Sequence, residues 1–178
     1  MPAIDRLYTE RLALERPQAK DAEEIFRRYA ADPEVTRYVS FPTHRTLEDT
    51  RAFLSMSDAA WNRWPAGPFL IRSKGTGNLL GGTGLSFESS TRAMTGYVLA
   101  KDAWGMGYAT ESLRAMVDLA SLLHVKRLYA LCHTEHRASW HVLEKSGFQR
   151  EGTLRRFENF PNLGSEALSD VYCYAIIL

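Results

Sequence analysis

A short apolar segment that runs into a glycine turn and then into a helix most restricts how this chain can fold. Residues 97–111 read YVLAKDAWGMGYATE, and from Ala109 onward apolar residues recur at the spacing of an amphipathic helix. Gly105 and Gly107 permit unusual dihedrals and close approach of a ligand. The first helical N–H groups lack an intrahelical acceptor, and the helix dipole is positive there. This segment therefore predicts a site for a phosphate group.

Other interpretations of the same turn need to be compared with a phosphate site. A tight structural loop explains two glycines before a helix equally well. A P-loop is excluded because its Gly-Lys-Ser/Thr sequence is missing. A dinucleotide-binding turn is a closer alternative, since the strand predicted at residues 127–133 is followed by Glu135, near the position of a ribose-binding acid. However, Thr110 stands where the third glycine belongs, and the chain offers one βαβ unit where such a domain needs several.

Composition and cysteine content narrow the class of protein. The 178 residues are 45% hydrophobic with a formal net charge of +1, which predicts a single domain over residues 1–178 and no nucleic-acid partner. Cys132 and Cys173 lie in apolar runs without metal-ligand spacing, so we expect reduced cysteines and no metal site. No stretch approaches the length of a membrane span. We expect a cytoplasmic protein with no membrane partner, as a monomer or homodimer.

The order of apolar patterns predicts an α+β fold. The expected strands lie at residues 7–16, 69–72, 79–87, 94–100, 127–133, 148–157 and 169–178. The expected helices lie at residues 21–31, 46–64, 109–123 and 136–146. Asp21 with Glu24, and Thr46 with Asp49, have the spacing of capping boxes, and Gly147 suits a left-handed C-cap. The elements predict a mixed, mostly antiparallel sheet of about seven strands flanked by helices, with one parallel βαβ crossover at the glycine turn.

Several motifs in this order resemble the GNAT family of acyl-CoA N-acyltransferases, in particular the ribosomal-protein N-terminal acetyltransferases (RimJ/RimL-like). The resemblance covers nearly the whole chain. The similar segments are Thr9-Glu10-Arg11-Leu12, Asp32-Pro33-Glu34-Val35, Gly96-Tyr97-Val98-Leu99, Trp104-Gly105-Met106-Gly107-Tyr108-Ala109-Thr110-Glu111, Ser139, Val142-Leu143-Glu144-Lys145-Ser146-Gly147-Phe148 and Glu151-Gly152-Thr153-Leu154.

The resemblance implies that acetyl-CoA is the cofactor and that the βαβ crossover forms its site. The coenzyme pyrophosphate would lie on amides of the glycine turn, and the pantetheine arm would lie along the preceding strand, where two parallel strands separate. The implied cofactor-binding residues are Val98, Leu99, Ala100, Trp104, Gly105, Met106, Gly107, Tyr108, Ala109, Thr110, His136 and Ser139. His136 stands where many relatives have asparagine, and its ring can also donate a hydrogen bond.

The implied reaction is direct transfer of an acetyl group from acetyl-CoA to a primary amine. The acceptor is the N-terminal amine of a protein or a small-molecule amine such as an amino acid, a polyamine or an antibiotic. A non-catalytic sensor that only binds coenzyme A is a third hypothesis. Four aromatic residues in the first third of the chain either pack in the core or line an acceptor site. They are Tyr38, Phe41, Trp61 and Trp64.

The proton donor implied for the leaving thiolate is Ser139. Family members often carry a tyrosine in this helix, but the matching residue here is Leu143. Ser139 lies one turn after His136 on the same helix face, a place where the subgroup often has serine. A hydroxyl that bonds back to a helical carbonyl is the structural alternative for Ser139.

The general base and the oxyanion donor are less clearly indicated. Relatives often carry a glutamate on the strand before the glycine turn, but Ala93 and Met94 occupy that place. Glu88 and His133 are the remaining candidates, against the alternatives of an ion-paired surface carboxylate and a structural histidine. A strand amide near Val98 is the expected donor to the oxyanion.

Overall fold

One mixed sheet of eight strands organises the protein, described here by a computed structural model over residues 4–164 and 167–178. The strands are β1 (Arg6–Tyr8), β2 (Leu12–Glu15), β3 (Pro68–Ser73), β4 (Leu79–Ser89), β5 (Arg92–Leu99), β6 (Arg127–His133), β7 (Gln149–Glu158) and β8 (Ser169–Ile177). Their order in the sheet is β1-β2-β3-β4-β5-β6-β8-β7. Only β5 and β6 pair in parallel among the described strands. The predicted α+β class is confirmed.

The structure has eight strands instead of about seven because residues 7–16 form a hairpin. β1 and β2 pair antiparallel, and Thr9 closes the turn between them. Its N–H donates to the Leu12 carbonyl at 2.9 Å, and its hydroxyl accepts from the Leu12 N–H at 3.0 Å. The alternating pattern of residues 11–15 correctly indicated β2, but it did not show that the chain reverses before it.

The helices are α1 (Ala22–Ile25), α2 (Leu47–Arg63), α3 (Tyr108–Leu122) and α4 (Arg137–Lys145). Short 3₁₀ turns lie at Ala19–Asp21, Lys101–Ala103 and Pro161–Leu163, and a π-helical turn at Phe26–Ala30 follows α1. The predicted helix over residues 21–31 is therefore wrong as one α-helix. This segment contains a 3₁₀ turn, an α-helix and a π-helical turn in succession. Among the described residues, no helix is long and apolar enough to cross a membrane.

The predicted helix caps had mixed outcomes. Thr46 and Asp49 form the expected capping box at the start of α2. In the first helical segment the box joins Gln18 and Asp21, because the Asp21 carboxylate accepts from the Gln18 N–H at 2.8 Å. The predicted pairing of Asp21 with Glu24 is thus wrong by three residues. Gly147 ends α4 with a φ of 90°, and the next N–H donates to the Leu143 carbonyl, as expected.

Apolar residues on both faces of the sheet build the core. Along β3, Phe69 and Ile71 join one buried cluster and Leu70 joins a second, as expected when successive side chains point to opposite faces. The first cluster includes Leu113 and Met116 of α3, both fully buried. Burial of such side chains contributes about 1.5–3 kcal/mol each. This packing holds α3, and the glycine turn before it, against the sheet.

The two parallel strands separate soon after they meet. β5 and β6 pair only from Arg92–Arg127 to Met94–Tyr129, while all seven residues of β6 pair with β8 on its other side. β6 is thus held in the sheet as β5 diverges towards the glycine turn. The result is a gap in the sheet beside residues 95–99.

Candidate functional site

The glycine turn and the start of α3 form a row of free backbone N–H groups. Gly105 and Gly107 have φ values of 72° and 79°, which glycine adopts without strain, and Gly107 caps the N-terminus of α3. Within the described ranges 4–164 and 167–178, nothing accepts a hydrogen bond from the N–H groups of residues 105–110. Together with the helix dipole, these amides have the geometry of an anion site.

Arg11 ties this turn to the β1–β2 hairpin. Its Nη1 donates to the Met106 carbonyl at 2.9 Å, its Nε donates to the Glu111 carboxylate at 2.7 Å, and its guanidinium lies 4.6 Å from the centre of the Tyr108 ring. Burial alone would raise the pKa of Glu111, but hydrogen bonds from Thr9 and Arg11 outweigh it and lower that pKa. The ionised carboxylate therefore anchors the turn from inside α3.

β5 presents backbone polar groups to the gap. The Ala100 N–H donates to a carbonyl of β4 at 2.8 Å, and alternate residues of an antiparallel strand bond to the same side. Val98 therefore directs its backbone groups to β4, while Tyr97 and Leu99 direct theirs to the gap. The Trp104 indole donates to the Leu99 carbonyl at 2.8 Å. Of the strand amides near Val98, those of Tyr97 and Leu99 face the gap.

A cavity of about 700 Å³ extends along the gap, within the range of small-molecule sites. Eight of the predicted site residues line it: Val98, Leu99, Trp104, Gly105, Ala109, His133, His136 and Ser139. Six do not line it: Glu88, Ala100, Met106, Gly107, Tyr108 and Thr110. Apart from Glu88, these six lie in or beside the glycine turn.

Ser139 lies on the first turn of α4 among other weak proton donors. Its hydroxyl interacts with the Tyr97 hydroxyl and the Cys132 thiol. Burial raises the pKa of Tyr97 to about 12 and that of Cys132 to about 11, although Ser139 opposes both shifts. All three groups therefore hold their protons at neutral pH. Within the described chain, the Ser139 hydroxyl makes no hydrogen bond back to a helical carbonyl.

Two uncharged histidines, His133 and His136, also line the cavity. The Tyr38 ring stacks on His136 at 4.8 Å between centroids and lies 5.0 Å from His133, which meets Phe160 edge-on at 4.9 Å. Burial lowers the pKa of both histidines. His133 Nδ1 accepts from the Glu135 N–H at 3.1 Å, so the proton of the neutral ring is assigned to Nε2. In this state the Nδ1 lone pair of His133 is taken by the Glu135 N–H, and the predicted role of His133 as a base stays a prediction.

The four aromatic residues of the first third lie in three places: the cavity lining, the buried core and a half-buried ring pair outside both. Tyr38 and Phe41 line the cavity. Trp61 is buried in the core, where its indole donates to a carbonyl of β3 at 2.9 Å. Trp64 stacks on Phe87 outside the cavity lining, with 5.3 Å between ring centroids.

Glu88 is not brought together with the other predicted catalytic residues. It lies exposed near the end of β4, where its carboxylate accepts from the Tyr129 hydroxyl and pairs with Arg92. The hydrogen bond from Tyr129, aided by Arg92, lowers the pKa of Glu88. A carboxylate held in this way at the surface is stabilised as an anion, away from the gap between β5 and β6.

Glu158 is the carboxylate that the sequence did not reveal. Two carboxylates line the cavity, those of Glu34 and Glu158. Glu34 pairs with Lys101, whereas no cation among the described residues lies within ion-pair distance of Glu158. Glu158 is half-buried at the end of β7, and it accepts from the Asn159 N–H at 3.2 Å. No local motif marks Glu158, because only the pairing of β7 with β8 brings it here.

These features fit an extended ligand that carries phosphate groups at one end. A Cβ at Gly105 would have no atom within 4 Å, so the turn leaves room for a bulky anion beside its amides. The gap-side N–H and C=O groups of Tyr97 and the N–H of Leu99 can pair with amides of such a ligand as an added strand would. Ser139, His133 and Glu158 line the same cavity. The site therefore has the shape to bind a coenzyme of this kind.

The chain belongs to the GNAT acetyltransferase family, because residues 11–149 match the family model described as an acetyltransferase (GNAT) domain. The predicted cofactor, acetyl-CoA, agrees with this family. Over 177 residues, which span 98% of this chain and 97% of the relative, the chain is 30% identical to an uncharacterized N-acetyltransferase, p20, of Bacillus licheniformis.

Solved structures share the fold over almost the whole chain. A GNAT-family acetyltransferase from Bacillus anthracis is 26% identical, with a TM-score of 0.83 and coverage of 97% and 98% of the two chains. The microcin C7 self-immunity acetyltransferase MccE, solved with acetyl-CoA and AMP, is 19% identical with a TM-score of 0.84 and coverage of 96% and 94%. RimL, the ribosomal L7/L12 alpha-N-protein acetyltransferase solved with coenzyme A, has the same identity and TM-score and 96% coverage of both chains.

Proposed function

We propose that this protein is an N-acetyltransferase that moves an acetyl group from acetyl-CoA directly to a primary amine. The observation that carries the proposal is the gap between β5 and β6, which joins the free amides of residues 105–110 to the cavity containing Ser139 and Glu158. Acetyl-CoA, when bound, supplies the activated acetyl group. The protein's own groups orient it and move two protons.

The glycine turn would hold the coenzyme through backbone groups. N–H groups of residues 105–110 suit the pyrophosphate, and the gap-side groups of Tyr97 and Leu99 suit the amides of the pantetheine arm. The stacked rings of Tyr38 and His136 exclude water from the far end of the arm. His136 can also donate from a ring nitrogen.

Glu158 would remove the proton of the attacking amine, and Ser139 would return one to the leaving sulfur. An amine is protonated at neutral pH, so a base must act before or during attack. Glu158 is the cavity carboxylate without a cationic partner among the described residues, and we propose it in place of Glu88. Ser139 Oγ is the candidate donor, with Tyr97 beside it to keep the hydroxyl oriented. The N–H of Tyr97 or Leu99 would stabilise the developing negative oxygen.

The acceptor is the least determined part of this proposal. The fold shared with RimL supports a RimJ/RimL-like enzyme that acts on a protein N-terminus. The bounded cavity, about 700 Å³ for coenzyme arm and acceptor together, favours a small-molecule amine as the second candidate. In both cases the amine must enter from the side of residues 31–46 and 158–163, because the coenzyme occupies the other side.

A screen of acceptors with acetyl-CoA tests the proposal. The probes are peptides with free N-terminal serine or alanine, the twenty amino acids, spermidine and kanamycin, and thiol release is the readout. We expect turnover on at least one probe, with Ser139→Ala as the slow control. Tight acetyl-CoA binding without turnover on any probe would overturn the proposal that the protein is an enzyme, and it would favour a coenzyme A sensor.

A further inference from the structure

The wall on the acceptor side is built from two segments, an irregular one at residues 31–46 and a second at residues 158–163 that contains the end of β7 and a 3₁₀ turn. Residues 31–46 connect the π-helical turn to α2 without a helix or strand of their own, and they carry Arg37, Tyr38 and Phe41, which line the cavity. Residues 158–163 carry Glu158 and Phe160, which line it from the other side. Long irregular segments are usually functional in compact domains. A fixed cavity therefore requires something that joins the two segments.

One side chain, Asn162, makes four hydrogen bonds between them. Its Oδ1 accepts from the Thr43 N–H at 2.8 Å and from the Thr43 hydroxyl at 3.0 Å. Its Nδ2 donates to the Thr36 carbonyl at 2.7 Å and to the Phe41 carbonyl at 2.9 Å. A side-chain amide has two donors and two acceptor lone pairs, so this amide is completely satisfied. Every bond goes to the segment that carries Tyr38 and Phe41.

The bonded groups continue into a chain of hydroxyls. The Thr43 hydroxyl is 2.6 Å from the Thr36 hydroxyl. Because each hydroxyl has one proton, Thr36 donates to Thr43 when Thr43 donates to Asn162, and the Asp32 carbonyl, 2.8 Å away, is the alternative acceptor for Thr36. Thr36 is fully buried. The Thr36 carbonyl also accepts from the Val39 N–H at 3.2 Å. Since buried polar groups left without partners are costly, removal of the amide would instead leave the Phe41 carbonyl and the Thr43 N–H unpaired. Residues 36–43 would then relax away from Phe160 and Glu158.

We infer that Asn162 is a positioning residue that fixes the acceptor side of the cavity by clamping residues 36–43 to the segment that carries Glu158 and Phe160. This inference rests on the proposed function, because it assigns Asn162 to the acceptor and not to the coenzyme. The amide lies in neither the glycine turn nor the gap beside β5. Its loss should therefore disturb acceptor binding and leave coenzyme binding intact.

Steady-state kinetics of Asn162→Ala, with the probe from the acceptor screen that the wild type turns over fastest, tests the inference. We expect the KM for that acceptor to rise at least about tenfold, as loss of several net hydrogen bonds allows, with kcat reduced less than threefold and the acetyl-CoA Kd unchanged. Thr43→Val removes only the hydroxyl bonds and should raise the acceptor KM about twofold to threefold. Thr43→Val also tests the inference if Asn162→Ala does not fold. Asn62→Ala, at an exposed position of α2, is the matched control and should change nothing.

The result separates failure of the inference from failure of the proposed function. Turnover by the wild type with an unchanged acceptor KM in Asn162→Ala, or in Thr43→Val if the first variant does not fold, would overturn the clamp alone. An acceptor KM and an acetyl-CoA Kd that rise by the same factor would also overturn it, because they would indicate general destabilisation. Absence of wild-type turnover on every probe would overturn the proposed function, and this inference with it.

Discussion

The coenzyme side and the acceptor side of the cavity are built in different ways. The coenzyme side consists mainly of backbone: the free amides of residues 105–110 and the gap-facing groups of β5 belong to one continuous stretch of chain. The acceptor side consists of side chains from residues 31–46, from β6 and α4, and from residues 158–163. The first is local in sequence, whereas the second is assembled from distant segments.

This difference explains which half of the site can change without loss of the fold. A backbone site tolerates many side chains provided that Gly105 and Gly107 keep their positive φ values. A side-chain site changes its specificity with each substitution in its lining, as is usual for functional loops on a rigid scaffold. We therefore expect single substitutions to affect either the coenzyme or the acceptor and its chemistry. The predictions below test this separation.

The largest effect is expected for Glu158→Gln on the acceptor side. Loss of a general base is typically worth about 10²–10⁴ in rate, and we expect kcat to fall at least about a hundredfold with the acetyl-CoA Kd unchanged. Steady-state thiol release and calorimetry measure the two quantities. Glu23→Gln, at an exposed position of α1, is the control. A kcat within threefold of wild type would show that water or another group accepts the proton.

Ser139→Ala should reduce kcat by about tenfold to a hundredfold, the low end for general acid catalysis because a thiolate leaves readily. Acetyl-CoA affinity should remain nearly intact, since the interaction is made chiefly in the transition state. Ser121→Ala, an exposed serine of α3, is the matched control. A loss below threefold would indicate a structural serine. Weaker acetyl-CoA binding at unchanged kcat would make Ser139 a contact of the pantetheine arm.

On the coenzyme side, Gly107→Val should weaken acetyl-CoA binding about thirtyfold, equivalent to about 2 kcal/mol. The φ of 79° is unfavourable for a β-branched residue, and a Cβ would lie 3.4 Å from Nη2 of Arg11, which holds the turn. Calorimetry with acetyl-CoA gives the affinity. Gly77→Val, with a similar φ of 74° in the turn between β3 and β4, should cost stability without weakening binding. Equal affinity in Gly107→Val and wild type would disprove the placement of the pyrophosphate.

The coenzyme side is easier to predict from the sequence than the acceptor side, because it is local in sequence. The glycine turn, α3 and β6 are specified by local periodicity and glycine chemistry, and their predicted positions agree with the structure to within a residue or two. Glu158 and Asn162 carry no local signal, because their roles arise from the pairing of β7 with β8 and from contacts made more than a hundred residues away along the chain. The motif resemblance supplied Ser139, which neither periodicity nor composition singles out. The hairpin at residues 7–16 was missed for a different reason. Its turn is local, but it is closed by one threonine hydroxyl and not by glycine or proline.

The smallest expected effect is a pH dependence of stability confined to the acceptor side. Burial lowers the pKa of His44, His133 and His136 in the folded protein, whereas in the unfolded chain each returns to about 6.5. Below that pH the unfolded state thus binds more protons than the folded state. The stability that the neutral histidines contribute is therefore fully present above about pH 6.5, and it is lost as the pH falls towards their lowered pKa values in the folded protein. We expect a lower Tm at pH 5.5 than at pH 7.5. The change of Tm with pH should be smaller in His136→Gln than in the wild type, and the same as wild type in the exposed control His141→Gln. Amide exchange should quicken in residues 36–43 at the lower pH and stay constant at the start of α3. A uniform change in both regions would show that the two halves do not respond separately.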